Sequence, residues 1–114
     1  MDISEILRQI RDLACAAAEY HKTGKLYPKL GYWGAAPEYR QDNRSDIYCI
    51  GLALRSQLRD GHFSTSADPV LETILTRTLS PKPQGRYQCC EELVEDLDKA
   101  LMLLHPFPEV PDNS

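Results

Sequence analysis

Gly34–Leu58 reads GAAPEYRQDNRSDIYCIGLALRSQL, and the fold turns on how its second half is read. The first half carries Ala36-Pro37-Glu38 and then a polar turn. From Ser45 onward, Ile47, Ile50, Leu54 and Leu58 recur at helical spacing, with Cys49 and Ala53 beside them. Ser45 is a good N-cap, since its hydroxyl can accept from the backbone N–H groups that a first turn leaves unbonded. The spacing predicts a helix over 45–59, closed by Arg59-Asp60-Gly61 with Gly61 as the left-handed cap.

Three further helices are predicted on either side. Asp2 with Glu5 three positions on is a capping box, and it opens a helix ending near His21. Ile3, Ile6, Leu7, Ile10, Leu13, Ala14 and Ala17 form its single apolar stripe. The small residues of Ala14–Ala18 leave room for a second helix to pack closely. Downstream, Asp68-Pro69 is an N-cap followed by proline at the first helical position, which starts a helix over 69–79. It presents Val70, Leu71, Ile74, Leu75 and Leu79. After the double-proline turn at 80–85, a fourth helix is expected over 89–104, with Leu93, Val94, Leu97, Ala100, Leu101 and Leu104. Glu91, Glu92 and Glu95 in its first turns suit the positive end of the helix dipole. The expected fold is all-α: one compact four-helix domain over 1–104, with a proline-rich extended tail over 105–114.

Composition narrows the partners. The 114 residues suffice for one core, and 42% hydrophobic with 26% charged residues is ordinary for a globular chain. A net charge of −4 argues against nucleic acid or an anionic membrane as the main partner, because both need a basic face. No apolar run approaches the roughly 18 residues of a membrane span, and the start lacks a basic-then-apolar signal pattern, so the expected compartment is the cytoplasm. Cys15, Cys49, Cys89 and Cys90 form no Cys-x-x-Cys pair, and His21, His62 and His105 are not grouped near them. Reduced structural thiols are expected, with no metal site and no cofactor. A helix N-terminus can lower a thiol's pKa, which makes Cys89 a candidate redox handle; the nearby carboxylates oppose that shift.

The stretch Ala36-Pro37-Glu38 followed by Ser45-Asp46-Ile47-Tyr48 and Gly51 resembles the end of the activation segment and the central large-lobe helix of eukaryotic-type Ser/Thr protein kinases. Arg86-Tyr87-Gln88-Cys89-Cys90-Glu91-Glu92-Leu93 is similar to the segment that opens the last helix in many bacterial members. The resemblance implies that Glu38 and Arg86 form a mostly buried ion pair, whose loss on one side would cost roughly 3–5 kcal/mol. It also implies that Asp46, which in kinases holds the catalytic loop, either caps its own helix or bonds to the 22–30 connection. Together Glu38, Arg86 and Asp46 would be a structural latch.

What a kinase needs for chemistry is missing between the two blocks. Residues 25–33 read KLYPKLGYW where the catalytic and metal-binding loops should stand, and no Asp or Asn lies between His21 and Glu38. Gly24-Lys25 is not a P-loop, and no glycine-rich loop of a small lobe is present. The expectation is therefore a pseudokinase-like, non-catalytic module cut down from a kinase large lobe, without catalytic residues. It would work as an adaptor or regulator by docking on another protein, such as a kinase or a signalling complex. Tyr27, Tyr32, Trp33 and the His62-Phe63 loop are the candidate contacts. The aromatic rings also have a plainer use as cover for a small core. Self-association is a further expectation, because a lobe without its partner lobe exposes apolar surface. Two other readings stay open: part of a split enzyme completed in trans, and a small acidic helical chaperone or immunity-type protein.

Overall fold

The computed structural model describes residues 2–24, 43–63 and 68–104. Their elements are α1 (Ile3–His21), α2 (Asn43–Asp60), α3 (Pro69–Thr78), a single 3-10 turn (Pro83–Gly85) and α4 (Cys90–Leu104). The architecture is all-helical, and no strand occurs among the described residues.

α1 starts as its sequence demands. The Asp2 carboxylate accepts from the Glu5 N–H at 2.9 Å, and the Glu5 carboxylate accepts from the Asp2 N–H at 3.0 Å. Two backbone donors that a first turn would leave unpaired are thereby satisfied. α3 starts equally locally: the Asp68 carboxylate takes the N–H groups of Val70 and Leu71, both at 3.1 Å, and Pro69 supplies no donor to strand.

α2 begins two residues before its expected cap, and Ser45 lies buried inside the first turn. The reason is tertiary. The Asn43 side chain donates to the Gln88 carbonyl at 2.7 Å, and the Arg44 carbonyl accepts from Arg86 Nη1 at 3.1 Å. The segment before α4 thus holds the start of α2.

The other end of α2 also departs from expectation. Gly61 is not the left-handed residue; His62 is, with φ 61°. The Phe63 N–H bonds to the Leu58 carbonyl at 2.9 Å and the His62 N–H to the Arg59 carbonyl at 3.0 Å. This is a Schellman closure with histidine in the strained position. Glycine stands at 61 for space: a Cβ there would meet Phe63 Cε2 at 2.6 Å.

The helices close around one core. α1 packs against α4 and α2, and α3 packs against α2 and α4. Arg11 pairs with Asp98, while His21 at the far end of α1 lies against Cys90 at the start of α4, so these two helices are antiparallel. Leu7, Ile10, Ile47, Ile50, Leu54, Leu71, Ile74, Leu93 and Leu97 are buried. Each such side chain contributes about 1.5–3 kcal/mol by leaving water. α2 and α3 approach closely at one point, where Gly51 faces Thr78 and Leu79. Thr78 can be buried there because its hydroxyl donates back to the Ile74 carbonyl at 2.8 Å.

Candidate functional site

The chemistry-bearing side chains of the described residues gather where α1 ends and α2 and α4 begin. Asp46 is 5% exposed in the first turn of α2. His21 Nε2 lies 2.7 Å from Asp46 Oδ2, and His21 Nδ1 lies 3.8 Å from Cys90 Sγ. With Nε2–H donating to the carboxylate, Nδ1 is left as the acceptor that the thiol S–H can face. The result is a thiol–imidazole–carboxylate chain drawn from three helices.

The chain has the residue types of a nucleophilic site but the wrong environment. Cys90 has no solvent exposure. Burial first, then the Asp46 and Glu91 charges, pushes its thiol up to about 12. A thiol activated for attack needs the opposite shift and an opening to solvent. Among the described residues no group of three or more His, Cys, Asp and Glu side chains could hold a metal ion. All four cysteines are free thiols, Cys49 and Cys90 buried, Cys15 and Cys89 half-buried.

A second polar centre lies alongside. Arg86 is 1% exposed, and its guanidinium donates to the carbonyls of Ser80 (Nε, 2.9 Å), Arg44 (Nη1, 3.1 Å) and Pro81 (Nη2, 3.5 Å). The same group sits 4.8 Å from the centre of the Tyr48 ring. Next in sequence, Tyr87 is buried beneath the Arg77 guanidinium, 3.9 Å from its ring centre, and donates its hydroxyl to Asp96 at 2.6 Å. Burial and that carboxylate hold the phenol protonated far above its ordinary range. Arg86 and Tyr87 thus weld the segment before α4 onto α2 and α3.

The residues singled out from the sequence are distributed as follows. Asp46 and Arg86 are buried, and His21, the last residue of α1, is within hydrogen-bond distance of Asp46. Glu38 lies outside the described residues, and so do Tyr27, Tyr32 and Trp33. His62 is exposed, while Phe63 packs against the core and across Gly61, so its ring is committed to the end of α2. Sequence reasoning missed the parts of His21 and Cys90. The available signal was a buried carboxylate in need of donors, with a histidine closing the preceding helix. Cys89 directly precedes α4, and Glu92 accepts from the Gln88 N–H at 2.8 Å.

No helix among the described residues is long and apolar enough to cross a membrane. Comparison of the chain with protein-family models, with curated proteins and with solved structures gives no match, so the site is read from its own chemistry.

Proposed function

We propose that this chain is a non-catalytic protein-interaction module, built like a pared-down kinase large lobe and acting as an adaptor or regulator. One observation carries the reading: the carboxylate that the kinase resemblance would assign to holding a catalytic loop is buried and bonded to the chain's own His21. The thiol behind that imidazole is sealed and held protonated, so the cluster has neither an opening nor an activated nucleophile. Arg86, buried against the starts of α2 and α4, supports the same reading from the second sequence block. A module whose polar interior is spent on joining helices acts through its surface.

The test is nucleotide binding. Calorimetry and thermal denaturation with ATP and Mg²⁺ should show no heat of binding and no change in Tm. A ligand that bound the folded state would stabilise it by RT ln(1 + [L]/Kd). Mg²⁺-dependent stabilisation would overturn the module reading in favour of an enzyme completed in trans.

A further inference from the structure

The His21–Asp46–Cys90 cluster holds one side chain that the joint between helices does not need. The His21–Asp46 bond already ties α1 to α2, and a thiol is a weak hydrogen-bond donor that adds little behind it. Yet Cys90 Sγ is set 3.8 Å from His21 Nδ1 and has no solvent exposure. With the Nε2 proton committed to Asp46 Oδ2 at 2.7 Å, the Nδ1 lone pair faces the sulfur. A carboxylate behind an imidazole, fixing its tautomer and raising its basicity, is the outer shell that metal-bound histidines have. Metal bonds of about 2.3 Å to sulfur and about 2.0 Å to nitrogen span about 4.3 Å in line and less when bent. The observed separation fits an ion between the two atoms.

The donor set selects the ion. Zn(II) takes four ligands, and the described residues bring together no group of three or more His, Cys, Asp and Glu side chains that could hold a metal. Cu(II) prefers a tetragonal set of nitrogen and oxygen donors. Cu(I) is soft, accepts thiolate and imidazole, and is satisfied by two ligands. Its charge also suits burial. Cu(I) takes the place of the thiol proton, which passes to solvent, so the net charge of the cluster and every oxidation state stay as they were. The cost that burial and the Asp46 charge impose on a bare thiolate is thereby avoided.

The geometry points to Cys90 and His21 as a two-coordinate Cu(I) site, with Asp46 as the carboxylate that orients the imidazole. The inference stands apart from the interaction-module reading. Lys22 and Glu91, which follow the two ligands in sequence, line a groove between α1 and α4 together with Glu19 and Glu95. The ion enters from that acidic groove through local opening of the last turn of α1, so loading is slow.

The probe is Cu(I) itself, delivered under nitrogen from a chromophoric Cu(I) chelator to reduced full-length protein. One equivalent should leave the chelator for the protein, raise Tm and give an X-ray absorption spectrum with one sulfur and one imidazole nitrogen around copper. The His21 ring signals should shift on loading while those of His62 stay in place, a readout that needs no variant. The Cys15→Ser/Cys89→Ser protein should keep the site, whereas Cys90→Ser should lose it. Asp46→Asn should weaken it by about 10–100-fold, as outer-shell changes do. Copper held by two sulfurs, unmoved His21 signals, binding that survives Cys90→Ser, Zn(II) binding more tightly than Cu(I), or no transfer from the chelator would each overturn the assignment.

Discussion

Gly51→Ala tests the packing where α2 and α3 meet, and the sign of its effect decides the matter. In an exposed helix the substitution stabilises by about 1 kcal/mol, because glycine loses more backbone freedom on folding than alanine. Here the added Cβ would stand 2.6 Å from Thr78 Cβ and 3.0 Å from Leu79 Cδ2, with Thr78 Oγ1 nearer still. Carbon atoms pack at about 3.5–4.0 Å, so α3 must move away by about 1 Å or a side chain must leave its rotamer. Thr78 cannot swing aside cheaply, since it is fully buried and its hydroxyl is tied to the Ile74 carbonyl. Overpacking of this kind costs about 1–3 kcal/mol. Taking the upper end and subtracting the helix gain leaves a net loss of about 2 kcal/mol, or roughly 10 °C in Tm for a domain of this size. Urea denaturation followed by helical circular dichroism measures it directly, with an unchanged slope showing that only stability moved. In a Thr78→Ala background, which lacks the nearest atom, Gly51→Ala should cost about 1 kcal/mol less. A rise in Tm for Gly51→Ala in the native background would refute the close approach.

Other outcomes follow from the same geometry. His62→Gly should stabilise by about 1 kcal/mol, because a non-glycine residue at φ 61° carries a penalty of about 1–2 kcal/mol, partly offset by glycine's freedom in the unfolded chain; an unchanged midpoint in urea would place the strain elsewhere. A double-mutant cycle on His21→Ala and Asp46→Ala should give a coupling of about 1.5–3 kcal/mol, as for hydrogen bonds to charged groups, and a value near zero would mean that Asp46 does not depend on His21. In native protein at pH 8, a thiol reagent should modify Cys15 and Cys89 readily and reach Cys49 and Cys90 only on unfolding. Stability should also fall above about pH 9. The unfolded Cys90 thiol loses its proton near its ordinary pKa while the folded one keeps it up to about 12, so the unfolded state binds fewer protons across that window; in Cys90→Ala the alkaline slope should be shallower.

How far the fold was legible depended on whether a feature is local. The Asp2–Glu5 box and the Asp68-Pro69 start involve groups within three residues of each other, and both helices begin where those residues indicate. The start of α2 is different. Its first turn is held by Gln88 and Arg86, more than forty positions away, and a capping rule that looks only at neighbours chose Ser45. Gly61 departs from expectation for another reason. The rule that a glycine closing a helix is left-handed has a rival, the need for room beneath a ring, and Phe63 makes that rival win. His21 and Cys90 were visible only as a lone histidine and a structural thiol, because their partners come together through the packing of three helices. Charge pattern alone likewise marked Glu91 and Glu95 as dipole partners; their shared groove with Glu19 exists only once α1 lies beside α4.

The contact among His21, Asp46 and Cys90 shows how little residue type decides without environment. A free cysteine holds a few per cent of thiolate at pH 7, enough to react. At a pKa of about 12, the thiolate fraction at that pH is about one in a hundred thousand, a loss of roughly a thousandfold before access is considered. The same low-polarity surroundings that silence the thiol strengthen the imidazole–carboxylate bond, because both partners are largely shielded from competing water. Burial therefore turns an arrangement that would be reactive on a surface into a joint between α1, α2 and α4. It holds the end of α1 beside the start of α4, and those two helix ends form the sides of the acidic groove. Loosening the joint should therefore weaken the fold, so His21→Ala should lower Tm and speed alkylation of the buried Cys90 thiol in native protein.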